Sequence, residues 1–126
     1  MTSMSTTGFP ATITYGAVLG QVLVRRRQLA GGLHQKVIAD GIGISQSAYS
    51  KLEAGQSGMS LAHLRQIAKL LNTSPSELMA EADGYVRNLE AQGVTVTDEK
   101  SVSQGEVLIG LGILAALIAA ANAIKK

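Results

Sequence analysis

Apolar residues recur at intervals of three and four along residues 15–80, and this spacing places them on one face of an α-helix. The pattern predicts five helices, at residues 15–30, 34–40, 45–54, 60–71 and from residue 74 onward. In the fourth helix, Leu61 and Ile67 lie on the stripe that is expected to face the core. Leu78 and Met79 are expected to complete that core. The hydrophobic pattern therefore predicts an all-α domain.

The first predicted helix carries a charge on its apolar stripe. Val18, Val22 and Leu29 lie along one side of this helix, and Arg26 falls within the same stripe. An arginine at such a place is expected to be paired with a group of opposite charge.

Residues 32–55 form the centre of the pattern, with two short helices joined by a tight connection. Gly41 and Gly43 lie in this connection, where glycine accommodates the positive φ of a sharp turn. The outer side of the second helix keeps short polar groups and one cation: Gln46, Ser47, Ser50 and Lys51. Such a face suits the major groove of DNA, because glutamine can form two hydrogen bonds to adenine and lysine can reach guanine or phosphate.

Thirteen positions of this stretch follow an ordered pattern of apolar, small, glycine and polar residues: Leu33, Gln35, Ile38, Ala39, Gly43, Ile44, Ser45, Gln46, Ser47, Ser50, Leu52, Glu53 and Gly55. In these positions the chain resembles the Xre/Cro-type helix-turn-helix domains of phage repressors and their bacterial relatives. The resemblance extends more loosely over residues 15–79 and implies a five-helix, repressor-like fold. An amphipathic helical hairpin unrelated to DNA is the alternative, and it accounts less well for so many ordered positions.

The resemblance and the polar face of the second, or recognition, helix together assign the candidate DNA contacts. Base contacts are expected from the helix face: Gln46, Ser47 and Lys51. Phosphate contacts are expected from two helix starts and from the first helix: Gln35, Ser45 and Arg27. For Arg27, an ordinary solvated position within a run of three arginines is an equal alternative.

The resemblance also implies an ion pair inside the domain. In the resembled family, an arginine of the first helix commonly pairs with the glutamate that closes the recognition helix, here Glu53. We assign this role to Arg26 because it lies on the apolar stripe, with Arg27 as the second choice since residues 30–32 lengthen the loop. His34 stands where the family prefers Ser or Thr as a helix cap, so a weaker cap is expected there.

Charge is distributed unevenly, although the whole chain carries only +2 at pH 7. Residues 15–72 hold seven Lys or Arg and two acids, whereas residues 77–106 hold seven acids and two cations. A basic head followed by an acidic neck is expected of a protein whose head alone binds a polyanion. Ordinary solvated charge explains this segregation less well.

The residue types needed for catalysis or metal binding do not form a recognisable pattern. The chain has no cysteine, and neither of its two histidines has a further ligand at metal spacing. We find no paired carboxylates of a catalytic cleft, no glycine-rich phosphate loop after a strand, and no nucleophile with a base. We therefore expect no metal, no cofactor and no enzymatic activity, and the lack of cysteine is compatible with a reducing cytoplasm.

The remaining segments flank the helix-turn-helix domain of residues 15–80. Residues 1–14 are uncharged and rich in Ser and Thr, and are expected to form a flexible arm. Residues 81–105 are expected to form a helical extension and a linker, with Gly84 as a place where the helix can break. Within that segment, residues 94–97 alternate like a strand but have no obvious partner, and pairing with a second copy is the less favoured solution.

Residues 106–126 are predicted to form an apolar C-terminal helix. Eighteen of them, residues 107–124, carry no charge and one polar side chain, Asn122. As a helix they span about 27 Å, slightly less than a hydrocarbon core of about 30 Å. Lys125 and Lys126 would also have to cross the membrane, against the positive-inside preference. Self-association is therefore favoured, with a membrane anchor second and packing against the chain's own domain as a third alternative.

Together these observations predict a sequence-specific, repressor-like regulator of transcription that binds double-stranded DNA. It is expected to be a homodimer or higher oligomer in the cytoplasm. The alternative is a protein-interaction module with a helix-turn-helix fold, tethered at the inner membrane through residues 107–124. The polar face of Gln46, Ser47 and Lys51 favours the regulator, and the apolar tail keeps the alternative open.

Overall fold

The computed structural model describes residues 12–98, which fold into five helices and a small sheet. In chain order the elements are β1 (Thr12–Thr14), α1 (Tyr15–Leu29), α2 (Gln35–Ile42), α3 (Gln46–Glu53), α4 (Leu61–Leu70), α5 (Pro75–Ala91) and β2 (Thr95–Thr97). The predicted five-helix architecture is confirmed, and the sheet is an addition to it. The C-terminal helix predicted at residues 106–126 lies outside the described residues, as do residues 1–11 of the predicted arm.

Side-chain caps define where most of the helices begin. In four of the five helices, a hydroxyl oxygen of the capping residue accepts a hydrogen bond from the backbone N–H three positions later: Thr14, Ser45, Ser60 and Ser74. His34 precedes α2 and makes no such bond, as its residue type led us to expect. The start of α2 is therefore held by packing and not by a side-chain cap.

All five helices contribute to one hydrophobic core. The largest fully buried side chains are Tyr49, Leu23, Ile38, Ile67, Leu78, Leu89, Val18 and Val22. Complete burial of an aliphatic or aromatic side chain contributes about 1.5–3 kcal/mol. Helices as short as α2 and α3, with 8 residues each, are unstable alone, so this core is what holds them in place.

Three apolar residues that were predicted to be buried are instead exposed: Leu29 at 67%, Leu61 at 81% and Met79 at 39%. Leu29 is the last residue of α1 and Leu61 the first residue of α4. The helical period continues to these positions, but the ends of the helices extend past the elements that cover their middles. Periodicity alone therefore overestimated the core at the helix ends.

Helix α5 does not stop where a domain boundary was predicted, at residue 80. It continues without a break through Gly84, and Ala82, Tyr85 and Leu89 in its second half are buried. A single glycine costs a helix only about 1 kcal/mol relative to alanine, which burial of the flanking side chains outweighs. The predicted helical extension thus belongs to the domain and packs along α1.

The two strands come from segments that were predicted to be an arm and a linker. Strand β1 pairs with β2 in parallel, and Ile13 lies opposite Val96 in the register. Ile13 and the neighbouring Val94 are buried, so this end of the domain adds to the core. The arm prediction is wrong for residues 12–14. Residues 94–97 had the alternation of a strand within a predicted linker, and the structure has a strand at Thr95–Thr97 with its partner within the chain.

Candidate nucleic-acid interface

Helices α2 and α3 are joined by a turn of three residues, Gly43, Ile44 and Ser45. Gly43 has a φ of +77°, and the N–H of Ile44 donates to the carbonyl oxygen of Ala39 at 3.0 Å. The positive φ predicted for the connection is confirmed at Gly43. Gly41, in contrast, lies inside α2, where a Cβ atom would approach a methyl carbon of Leu70 at 2.6 Å. Gly41 thus allows α2 and α4 to pack closely and does not form the turn.

The recognition helix α3 has one buried and one exposed side. Tyr49, Leu52 and Glu53 are buried, whereas the outer side consists of Gln46, Ser47, Ser50 and Lys51. All four outer residues are exposed, as the sequence pattern predicted. This face therefore offers hydrogen-bonding groups and one cation to a partner, and their contact with bases stays a prediction.

The buried end of α3 is tied to α1 by an ion pair between Glu53 and Arg27. The Nε of Arg27 donates to Glu53 Oε2 at 2.7 Å, and its Nη2 donates to Oε1 at 3.0 Å. The Glu53 side chain is only 4% exposed and that of Arg27 only 14%. The pair had been assigned to Arg26, and that assignment is wrong. Consecutive residues point about 100° apart around a helix, so only one of the two arginines faces α3.

Arg27 therefore has a structural role in place of the predicted phosphate contact. Its third group, Nη1, donates to the backbone carbonyl oxygen of Leu33 at 2.6 Å, which fixes the loop before α2. The hydrogen bond to Glu53 raises the pKa of the Arg27 guanidinium against the opposing effect of burial. All three nitrogens are engaged within the domain and only 14% of the side chain is exposed, which argues against a phosphate contact by Arg27.

Gln35 completes this cluster from the start of α2. Its Nε2 donates to Glu53 Oε1 at 2.8 Å, and the residue is half-buried. An amide nitrogen carries two hydrogens, so a second donor remains for a phosphate at the N-terminus of α2. Gln35 can therefore join Glu53 to a bound phosphate, but this contact stays a prediction.

The hydroxyl of Tyr49 is buried beside the same pair. Burial raises its pKa, and the negative charge of Glu53 raises it further. The hydroxyl makes no hydrogen bond of good geometry among residues 12–98. The Tyr49 side chain thus contributes an apolar ring to the core beneath the recognition helix, with a proton that it does not release at neutral pH.

The other two arginines of α1 face α5. Arg25 Nη1 lies 2.7 Å from Glu81 Oε2, and Arg26 Nε lies 3.0 Å from Glu81 Oε1. The hydroxyl of Tyr85 donates to the same carboxylate at 3.3 Å. A residue of the predicted acidic neck thus pairs with two cations of the predicted basic head. The segregation of charge along the sequence is therefore partly cancelled in the fold.

Half of the Lys and Arg side chains among residues 12–98 have no ion pair there: Lys51, Arg65, Lys69 and Arg87. Lys36 pairs with Asp40 one turn later at 3.0 Å, in an exposed position. Only Lys51 belongs to α3. The electrostatic attraction that this face offers to phosphate is therefore weaker than the arginine run suggested.

Two glycines let α1 approach the end of the recognition helix closely. A Cβ atom at Gly20 would overlap the backbone carbonyl of Glu53. Gly55 follows α3 with a φ of +72°, and a Cβ there would lie 2.6 Å from the backbone nitrogen of Ala17. Together with the Arg27–Glu53 pair, this backbone contact fixes the orientation of α3 relative to α1.

Residues 12–98 contain no cluster of three or more His, Cys, Asp or Glu side chains suited to a metal ion. Within the same range, none of the helices combines the length and the apolar character required to cross a membrane.

The short turn, the buried back of α3 and its exposed polar face define a helix-turn-helix domain. Comparison with protein families agrees, since residues 23–78 match the family described as helix-turn-helix. This match is consistent with the predicted resemblance to Xre/Cro-like helix-turn-helix domains, and the matched family is one of DNA-binding regulators. Comparisons with curated proteins and with solved structures gave no match.

Proposed function

We propose that this protein is a sequence-specific DNA-binding regulator of transcription that acts as a repressor. The observation that carries the proposal is the division of α3 into a fixed back and a polar front. Glu53 and Tyr49 are buried against the domain, while Gln46, Ser47 and Lys51 are exposed together. A helix held in this way presents its front to a groove without reorganisation, which favours specific readout.

Each group on the front of α3 has a plausible partner on DNA. Gln46 is the first residue of the helix and can form two hydrogen bonds to adenine, while Lys51 can reach guanine or a phosphate one and a half turns later. The oxygen of Ser45 accepts a hydrogen bond from the N–H of Ala48, which leaves its hydroxyl hydrogen to donate to a phosphate. Ser47, next to Gln46, can donate or accept.

Two copies are needed for a tight complex under this proposal. One head has a single cation on α3, and the arginines of α1 are engaged within the domain. Half-sites about 34–36 Å apart, read by two linked heads, would compensate for the modest electrostatic attraction. We propose that residues 107–124 supply the link by self-association and that the protein is a cytoplasmic homodimer or higher oligomer.

Selection from a random pool of double-stranded DNA tests this function, with the full chain as bait and footprinting of the enriched sequence. The decisive variant is Gln46→Ala, for which we expect a loss of about 1–3 kcal/mol on the selected site and a relaxed base preference at one position. Gln66→Ala is the matched control, because Gln66 is an exposed glutamine on α4. Equal behaviour of the two variants would contradict the assignment of α3 as the reading element.

The repressor role requires its own test. A reporter gene carrying the selected site in its promoter should be expressed less when the protein is present, and the Gln46→Ala variant should relieve that effect. Activation of the reporter would exclude repression while leaving DNA binding intact. If no sequence is enriched and the full chain is recovered with membranes, the membrane-tethered interaction module becomes the better explanation, because residues 107–124 are apolar throughout.

A further inference from the structure

The four outer side chains of α3 form no polar contact within the domain. Gln46, Ser47, Ser50 and Lys51 are exposed, and none of these side chains makes a hydrogen bond or an ion pair among residues 12–98. Serine inside a helix often donates its hydroxyl to the carbonyl oxygen one turn earlier, but neither Ser47 nor Ser50 does so. Both hydroxyl groups therefore remain available to a partner of the domain.

The two serines lie between the two long side chains of this face. Consecutive residues of an α-helix are turned by about 100°, so around the helix Ser50 lies about 40°, Ser47 about 100° and Lys51 about 140° from Gln46. The serine side chains end close to the helix surface, whereas the glutamine amide and the lysine ammonium group extend well beyond it. The outer face of α3 therefore has a shallow recess that is lined by hydroxyl groups.

This recess stays at a distance from the bases when α3 lies in a major groove. Under the proposed function, Gln46 and Lys51 contact DNA through the ends of their side chains. These contacts set the distance between the helix and the base edges, and the shorter serines do not reach the same edges. A gap therefore separates the hydroxyl groups of Ser47 and Ser50 from the base pair opposite them.

Two kinds of group fit such a gap: an ordered water molecule, or the methyl group of thymine, which projects into the major groove. A methyl group would displace water from both hydroxyl groups without offering a hydrogen bond in return, which is unfavourable. A water molecule can accept a hydrogen bond from a serine and donate one to a base at the same time. The hydroxyl lining of the recess therefore favours water.

We infer that Ser50, together with Ser47, reads the base pair opposite the recess through an ordered water molecule. Ser50 is then a specificity-determining residue in addition to Gln46 and Lys51, and Ser47 acts through water in place of a direct base contact. The inference rests on the proposed function, and it specifies how the middle of the recognition helix contributes to that function.

The first test compares Ser50→Ala with the parent on the DNA sequence that the full chain selects. We expect a loss of affinity of about three- to tenfold, as for one lost hydrogen bond, and a relaxed base preference at one position. That position should differ from the one that Gln46→Ala relaxes. Ser76→Ala is the matched control, because Ser76 is an exposed serine on α5, and it should bind like the parent.

Two results of this comparison would overturn the inference. The first is binding by Ser50→Ala that is as tight as that of the parent or tighter. The second is a relaxed preference at the position that Gln46→Ala also relaxes, because Ser50 would then act only by positioning Gln46.

The melting temperature of Ser50→Ala separates readout from folding. Ser50 is exposed and alanine has the higher helix propensity, so the variant should melt at the temperature of the parent or slightly above it. A clear fall in melting temperature would contradict the open position of Ser50 on which the inference depends.

A change of methyl group on the DNA distinguishes water from a thymine contact. Every base pair contains a thymine or a cytosine, so at the position relaxed by Ser50→Ala either uracil replaces thymine or 5-methylcytosine replaces cytosine. With water in the recess, uracil should bind at least as tightly as thymine, whereas 5-methylcytosine should bind more weakly than cytosine. A several-fold loss with uracil, or a gain with 5-methylcytosine, overturns the inference in favour of a methyl contact.

Ser50→Asn tests whether the gap exists. The longer amide side chain should reach the base directly and displace the water, so repeated selection with this variant should recover a site with a changed base at the same position. Failure of Ser50→Asn to select any sequence, while the parent does, overturns the inference because no gap would be present. If the parent selects no sequence, the proposed function fails and the inference fails with it. A parent that selects a site while the Ser50 variants behave otherwise leaves the proposed function intact.

Discussion

Arg27 and Glu53 meet through two parallel hydrogen bonds at 2.7 and 3.0 Å, in a place that is almost closed to water. Their pairing joins the first helix to the last residue of the recognition helix. Gln35 adds a third donor to the same carboxylate, so α1, α2 and α3 are connected at a single group. The orientation of the exposed face of α3 depends on this group.

Removing Glu53 should therefore destabilise the domain strongly. In Glu53→Ala the guanidinium of Arg27 stays buried without its partner, and loss of one member of such a pair costs about 3–5 kcal/mol. Arg26→Ala is the control, because its pair with Glu81 is more exposed and Arg25 remains bound to the same carboxylate. Urea unfolding monitored by circular dichroism measures the free energy of unfolding of both variants. A Glu53→Ala protein with the stability of Arg26→Ala would contradict the prediction.

Two glycine substitutions should change stability in opposite directions. Gly20→Ala places a methyl group against the backbone carbonyl of Glu53, so we expect a loss of stability and a displaced α3. Gly84→Ala meets only the end of the Arg87 side chain at 3.8 Å, so we expect a gain of about 0.5–1 kcal/mol from better helix propensity. The melting temperatures of both variants, compared with that of the parent, test these two predictions. Stabilisation by Gly20→Ala would show that the close approach of α1 and α3 is not present in solution.

The salt dependence of DNA binding should identify which cations contact phosphate. Lys51→Ala should lower the slope of log affinity against log salt by about one, whereas Arg25→Ala should leave it unchanged because Arg25 is bound to Glu81. Arg27→Ala should reduce affinity through lost stability and not through the slope. Fluorescence anisotropy on the selected site at four or five salt concentrations measures these effects. A slope lowered equally by Lys51→Ala and Arg25→Ala would place Arg25 on the DNA backbone.

Tyr49 should make the domain sensitive to alkaline pH. Burial raises the pKa of its hydroxyl in the folded state above the unfolded value of about 10. The folded protein thus holds this proton more tightly, and its stability is complete below pH ~10 and falls as the pH rises above that value. Tyr49→Phe should weaken this pH dependence. It should also stabilise the domain by about 1 kcal/mol at neutral pH, because it removes a buried hydroxyl without a hydrogen bond.

The free energy of unfolding of the parent and of Tyr49→Phe, measured from neutral pH to pH 11, checks the predicted pH dependence and the predicted gain in stability. Tyr15 serves as the comparison, since burial and its hydrogen bond to Asp83 also raise the pKa of its hydroxyl. Tyr15→Phe should remove part of the alkaline loss, but it should destabilise the domain at neutral pH because the bond to Asp83 is lost. A Tyr49→Phe variant that is less stable than the parent at pH 7 would show that its hydroxyl has a partner in solution.

The recognition helix and its exposed face followed from the sequence because both depend on local rules. Ser45 caps α3, Gly43 takes the positive φ, and the polar residues of one helical face are exposed as their spacing predicted. The assignment of Arg26 to Glu53 failed by a single position. The loop that contains Gly31 and Gly32 is longer than usual for the resembled pattern, which blurs the alignment of the first helix, and an error of one residue turns a side chain by about 100°.

The small sheet could not be predicted for a different reason. Strand β2 carried a recognisable alternation, but its partner β1 lies at the opposite end of the described chain and contains only three residues. Pairing over such a separation depends on how the helices between the strands pack. The ion pairs of Arg25 and Arg26 with Glu81 could not be predicted for the same reason, because they form only when α5 packs along α1.

The pairing of β1 with β2 affects how the domain forms during synthesis. Thr12–Thr14 is among the first described residues to leave the ribosome, yet it has no partner until Thr95–Thr97 has emerged. Ile13 in β1 can be fully buried only after β2 has been synthesised. Leu89, near the end of α5, is also among the last core residues to be synthesised. The helix-turn-helix segment is therefore synthesised well before the hydrophobic core of its domain can be completed. A nascent chain that stalls near residue 80 should expose apolar surface to chaperones, although its recognition helix is already complete in sequence.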